Sequence, residues 1–235
     1  MSGRICQYCY ATGYIAAEPN CKNRFRQDLC KDLEALEAYD VPPAPVHLSN
    51  STDPLQPLEQ QYRHTLFVLE KLAEHRNRFT TVTLLTKNPA VLIDDRYVRV
   101  LRRLSELPAD HPRRAWFDAQ GHPPLRVECS LAFFNDDFRH LLDPAAPSVA
   151  SRMEALWFLR KDGLPVFLRI DPLFPRDPLG GGKMMADFGL PDVQPIRDLE
   201  GLVSFSRELA ATCRGSRQGG RPSRRTGLMD IRSLL

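Results

Sequence analysis

Short β-branched and leucine-rich runs that alternate with helically spaced apolar residues constrain this chain most, because that rhythm builds βαβ units and a parallel sheet. Val46-His47-Leu48-Ser49 reads as a short strand, entered through Pro42, Pro43 and Pro45 and closed by the turn Asn50-Ser51-Thr52-Asp53-Pro54. Tyr62, Leu66, Leu69 and Ala73 follow at helical spacing. Thr80 to Thr86 has the composition of a buried strand, ended by Lys87-Asn88-Pro89, and a helix from about Ile93 to Leu104 carries Val98, Leu101 and Leu104 on one face. Pro108 to Pro124, rich in proline, charge and histidine, reads as a surface excursion with no chemistry assigned. Leu125 to Phe133 is the next strand. A helix capped by Ser148 or Ser151 then runs to the stop at Asp162-Gly163. Leu164 to Ile170 is the fourth strand, and a last helix spans about Asp198 to Ala210. Four strand-helix units result.

With 235 residues, 43% hydrophobic and 26% charged, the chain is long enough for one globular domain and does not need a disulfide scaffold. No uncharged run reaches the ~18 residues of a membrane span. Met1 to Ala11 carry cysteines and tyrosines where an export signal needs a basic start and an apolar stretch, so a reducing cytoplasm is the expected location. The net charge of +3 is unevenly spread: Cys213 to Leu235 holds six arginines against Asp230, a net of +5, which leaves residues 1–212 at −2. Only six of the 32 basic residues are lysine, a bias that points to a GC-rich coding sequence.

In parallel α/β folds chemistry collects at the carboxyl ends of the strands, where loops and helix amino termini converge. The candidate ends here are Asn50 to Asp53, Lys87, Cys129 with Ser130, and Arg169 with Asp171. Asp53 before a proline is also a plain turn former, and Lys87 a plain solvated strand end. Cys129, between Val127 and Leu131 on one strand face, is expected as a small core residue. Trp157 and Phe158 are expected in the helix core. His47, His64, His75, His111, His122 and His140 show no metal-ligand spacing. Cys6-Gln7-Tyr8-Cys9 brings two thiolates within reach of one metal centre, a pattern that serves zinc, an iron-sulfur cluster or a redox dithiol. Cys21 and Cys30 would complete a zinc site, but their spacing fits plain thiols better.

Several of these stretches, in order, resemble the radical S-adenosylmethionine superfamily, in the branch of spore photoproduct lyase and related photolyase-like DNA repair lyases. The resemblance runs from about Gly3 to Leu209. It rests on Cys6-Gln7-Tyr8-Cys9-Tyr10-Ala11, Ser51-Thr52-Asp53-Pro54, Leu85-Thr86-Lys87, Ser130-Leu131, Asp143-Pro144-Ala145-Ala146-Pro147 with Arg152-Met153-Glu154-Ala155-Leu156, and Arg169-Ile170-Asp171-Pro172-Leu173-Phe174-Pro175. It implies a partial (β/α)6 TIM-type barrel, and a 4Fe-4S cluster held by three cysteines with its fourth iron open to S-adenosyl-L-methionine. It further implies reductive cleavage of that cofactor to a 5′-deoxyadenosyl radical. Cys6 and Cys9 match the second and third cluster cysteines, and Tyr8 the aromatic beside the adenine. Thr52 and Asp53 match the polar pair at the methionine amino group. Lys87 and Arg169 are placed to meet the carboxylate or the ribose, and Ser130 the ribose. The family also implies a nucleic-acid lesion as substrate and a reducing electron donor such as flavodoxin or ferredoxin.

The chain departs from the family at several points. Ser2 stands where the first cluster cysteine belongs, and a hydroxyl is a poor ligand for soft iron. Asn50 stands near the place where some spore lyases carry a hydrogen-returning cysteine. Against the family barrel, the first and last strands are expected to be missing. Residues 1–212 then form an incomplete core, and residues 213–235 a disordered Arg/Gly/Ser-rich tail of a truncated or frame-shifted copy. The competing expectations are a zinc-stapled, non-catalytic α/β module whose basic tail touches nucleic-acid phosphates, and an inactive fragment.

Overall fold

The computed structural model describes residues 25–48, 53–121, 123–134, 136, 139–140, 143–170 and 195–211. Four strands, β1 (Ala44–Leu48), β2 (Phe79–Thr86), β3 (Leu125–Ser130) and β4 (Val166–Arg169), form one parallel sheet in the order β1-β2-β3-β4. The order never reverses, so each crossover steps to the next strand in the same direction. The helices are α1 (Phe25–Ala38), α2 (Glu59–Tyr62), α3 (His64–Glu74), α4 (Asp95–Ser105), α5 (Arg114–Gln120), α6 (Val149–Lys161) and α7 (Pro195–Ala211).

Pairing register gives the sheet two chemically different faces, because paired residues of parallel neighbours point the same way. Val46 pairs with Val82, Leu84 with Val127, Thr86 with Cys129, and Val127 with Val166. This face packs with Leu66, Leu69 and Leu72 of α3, Tyr97, Leu101 and Leu104 of α4, Leu156 and Leu159 of α6, and Phe205 and Leu209 of α7 in one core. The alternate residues make a polar face: His47 beside Thr83, Thr83 beside Arg126, Leu85 beside Glu128, Glu128 beside Phe167, and Ser130 beside Arg169.

The expected strands and the helices that follow them are present, with ends shifted by a few residues. Ser148 rather than Ser151 caps α6, its hydroxyl accepting the Ser151 amide at 3.1 Å. Two expectations need correction, and one helix is new. Part of the supposed surface excursion is helical: α5 lies within it, with Phe117 and His111 buried and edge to face. Phe158 is 45% exposed, because Arg152, Ala155, Leu156 and Leu159 form the buried stripe of α6 and leave position 158 on the opposite side. Trp157 does pack, edge to face on Phe205. Helix α1 was not anticipated, although Leu29, Leu33 and Leu36 recur at helical spacing and pack on the core.

The entry to α3 is held by a buried acid. Arg63 takes a left-handed conformation (φ 50°) between α2 and α3, which leaves the first amides of α3 without carbonyl partners. The Glu59 carboxylate accepts the Thr65 and Leu66 amides, both at 2.9 Å, and the Tyr97 hydroxyl at 2.5 Å. Tyr97 thereby ties α4 to the same cap. Burial, then the Glu59 carboxylate, pushes the Tyr97 pKa up. Replacing Glu59 with Ala removes all three acceptor contacts from a buried site, and an unfolding free energy lower by about 2–4 kcal/mol is expected by urea titration.

Burial lowers the pKa values of His64 and His111 from the ordinary 6.5, with Arg26 and Arg76 respectively adding repulsion. Both imidazoles then bind protons less readily in the folded protein than in the unfolded chain. Stability is full above 6.5 and declines as pH falls through that value toward the lowered folded ones. Melting temperature measured between about pH 7.5 and 5 should fall on the acid side, and His111→Gln should flatten that dependence.

Candidate functional site

The carboxyl ends of β1 and β2 are joined by one buried carboxylate. Asp53, just beyond β1, accepts the Leu55 amide at 2.9 Å and the Thr86 hydroxyl at 2.8 Å on Oδ1, and the Lys87 amide at 2.6 Å on Oδ2. Thr86 Oγ1 accepts in turn from the Asn88 amide at 2.8 Å, and Asn88 Nδ2 donates to the Leu55 carbonyl at 3.0 Å. Burial raises the Asp53 pKa, opposed by the Lys87 and Leu55 amides and the Thr86 hydroxyl. Both oxygens are committed to the protein. Asp53 shapes this end of the sheet rather than presenting a free acceptor.

Lys87 extends from that junction, and its ammonium donates to both oxygens of Asp143, each at 2.7 Å. Asp143 belongs to the segment between β3 and α6, where Arg139 organises the backbone. The Arg139 guanidinium pairs with Asp136 at 2.6 Å and donates to the carbonyls of Ala146 at 2.8 Å and Pro144 at 3.3 Å. Asp136 also accepts the Val149 amide at the start of α6. Burial works against the Asp136 carboxylate, but the Val149 amide and Arg139 outweigh it and hold its pKa below the ordinary value.

Lys87 follows Thr86 and Ser130 follows Cys129, the last pair of the β2-β3 ladder, while Ser130 itself pairs with Arg169. Lys87, Ser130 and Arg169 therefore occupy one row across the carboxyl edge of three consecutive strands. Beneath that row, Arg152 is 1% exposed and donates from Nη1 to the Ser130 carbonyl at 3.1 Å and from Nε to the Pro147 carbonyl at 2.9 Å. On the polar face Glu128 accepts from Arg126 at 2.9 Å and lies 3.5 Å from Arg169, and the Arg126 guanidinium sits over the Phe167 ring.

Of the residues singled out in the sequence, Asp53 and Lys87 are in direct contact, and Ser130 and Arg169 are register partners. Cys6, Tyr8, Cys9 and Thr52 lie outside the described residues, as do Asn50 and the tail 213–235. Cys129 is a core residue: burial pushes its thiol up to about 12, so it is neutral at physiological pH and inert as a nucleophile. Among the described residues no cluster of three His, Cys, Asp or Glu side chains is placed to hold a metal. Sequence reasoning missed the roles of Asp143, Arg139 and Glu128. Asp143 carried a signal, the acid before Pro144 at the mouth of a loop, but its partner lies far away in sequence at Lys87.

Asp53→Asn keeps one acceptor and turns a donor toward one of the three groups Asp53 now satisfies. It should cost about 2–3 kcal/mol of stability by denaturant unfolding. Thr86→Val, which removes the hydroxyl that donates to Asp53 and accepts the Asn88 amide, should cost about 1 kcal/mol, and the double variant should depart from the sum because the two side chains are in direct contact.

Compared with protein-family models, curated proteins and solved structures, the chain matches none.

Proposed function

We propose that this chain is a radical S-adenosylmethionine iron-sulfur enzyme of the spore photoproduct lyase-like type. The observation that carries the reading is the row of Lys87, Ser130 and Arg169 at the carboxyl edge of consecutive parallel strands, on a sheet with one apolar and one polar face. An unreversed strand order with helix residues packed on the apolar face is compatible with a (β/α) barrel wall, whose site lies at the carboxyl ends of the strands. In this reading the four strands belong to a partial (β/α)6 barrel.

The donor chemistry of the site supports the cofactor in part. A carboxylate and ribose hydroxyls call for cations and hydroxyl groups, which Lys87, Ser130 and Arg169 supply in one row. An ammonium calls for an accessible acceptor, and Asp53 is buried with three donors of the protein already on its carboxylate. Asp53 is therefore assigned an indirect part: through the Lys87 amide it sets where the Lys87 side chain starts. Cys6 and Cys9 would hold the cluster, with Tyr8 beside the adenine and Thr52 at the amino group. When bound, the cluster and cofactor would supply radical chemistry, with flavodoxin or ferredoxin as the class of electron donor. This chain's own residues would orient the cofactor. A nucleic-acid lesion is the substrate class the resemblance implies.

Anaerobic reconstitution of the full chain with iron and sulfide tests the reading. Iron uptake with broad visible absorption is expected, lost in Cys6→Ala and Cys9→Ala and increased in Ser2→Cys, which supplies a third thiolate. Stoichiometric zinc without iron, in the wild type and in Ser2→Cys alike, would overturn it in favour of a zinc-stapled binding module.

A further inference from the structure

We infer that Asp143 is the positioning residue of Lys87, holding its ammonium at the carboxyl end of β2 where that ammonium meets a carboxylate or hydroxyl oxygen of the bound cofactor. The inference rests on the reading of Lys87 as a cofactor-seating group.

Lysine carries its charge on a flexible four-carbon stem, so an ammonium with a defined place needs a partner that fixes it. Lys87 is fixed at both ends. Asp53 binds its amide at 2.6 Å, and Asp143 binds its ammonium through both carboxylate oxygens at 2.7 Å. Asp143 is the only hydrogen-bond partner of that ammonium among the described residues. An ammonium has three protons, the side chain is 16% exposed, and among the described residues Asp143 takes two of the three.

Asp143 is itself rigidly placed. Its amide donates to the Arg139 carbonyl at 2.7 Å, and its carbonyl accepts the Ala146 amide at 3.0 Å. Arg139 clasps the neighbouring carbonyls and is anchored on Asp136, which caps α6. The carboxylate thus belongs to a braced turn, and the lysine tip inherits its position. The pair stands at the carboxyl end of β2, level with Ser130 and Arg169. A carboxylate that merely competed with the ligand for Lys87 would make its removal tighten binding, the opposite sign from a positioning role.

Two measurements on the full chain, as isolated and after iron loading, decide the matter. Trace acetylation with acetic anhydride, read by peptide mass spectrometry across a pH series, reports how firmly the Lys87 ammonium is held. Equilibrium dialysis with labelled S-adenosylmethionine reports affinity. In Asp143→Asn, Lys87 acetylation should rise about fivefold and the dissociation constant about tenfold, with partial recovery in Asp143→Glu. The Lys87→Met/Asp143→Asn double variant should bind no more weakly than Lys87→Met alone, because both changes remove one function. If Asp143→Asn unfolds, Lys87→Met/Asp143→Leu replaces the pair with apolar side chains and should fold while lacking the same affinity; full affinity in that folded variant overturns the inference. Unchanged acetylation in Asp143→Asn overturns the hold on Lys87, and unchanged or tighter cofactor binding overturns its purpose. Raised acetylation with no binding by the wild type overturns the cofactor reading of Lys87 while upholding the hold by Asp143.

Discussion

The carboxyl edge of this sheet depends on the Asp53 carboxylate. A parallel strand delivers its chain to a loop that must turn away from the sheet, and the amides at that turn need acceptors once they are buried. Asp53 answers for two loops at once, taking the Leu55 amide from its own and the Lys87 amide and Thr86 hydroxyl from its neighbour. The first two crossovers are locked to each other where the sequence places its candidate chemistry. Without that acid, the loop after β1 and the end of β2 would each expose donors to an apolar core.

A second device recurs through the molecule: guanidinium groups bound to main-chain carbonyls. Arg76 reaches the Phe79 and Pro124 carbonyls and so ties the start of β2 to the approach to β3. Arg78 takes those of Leu36 and Tyr39 at the end of α1, Arg26 that of Tyr62, Arg160 that of Leu209, and Arg152 those of Ser130 and Pro147. Several of these acceptors lie at element ends, where carbonyls lack ladder or helix partners. The planar fork reaches more than one carbonyl at once, which a lysine ammonium on a loose stem does less well. The arginine excess, read from sequence as codon bias, has structural employment whatever its origin.

Much of this was legible in advance where one local signal decided the outcome. The Thr80 to Thr86 run is β-branched and leucine-rich and ends at Lys87-Asn88, and it is β2 to within one residue. The Asp162-Gly163 stop of α6 and the core place of Cys129 were equally readable. Helix α5 escaped because its burial rests mainly on Phe117 amid charged neighbours, and no periodic stripe announces so short a helix. Phe158 misled because aromatic character was weighed without the phase of the stripe formed by Arg152, Ala155, Leu156 and Leu159. The candidate positions Asp53 and Lys87 were legible as strand ends, but their partners were not. Asp53 is turned inward by Thr86, and Lys87 is bound by an acid 56 positions later, contacts that only the folded chain creates.

The carbonyl-bound arginines also bear on ionic strength. Among the described residues Arg26, Arg76, Arg78 and Arg160 are held by main-chain carbonyls and by no ion pair, so these clasps should hold across a wide range of salt. The partly open Arg169 and its Glu128 partner on the polar face are a pair of full charges, within reach of counterions. The carbonyl clasps and this pair thus differ in kind: added salt loosens Arg169 from Glu128 and leaves the clasps nearly untouched.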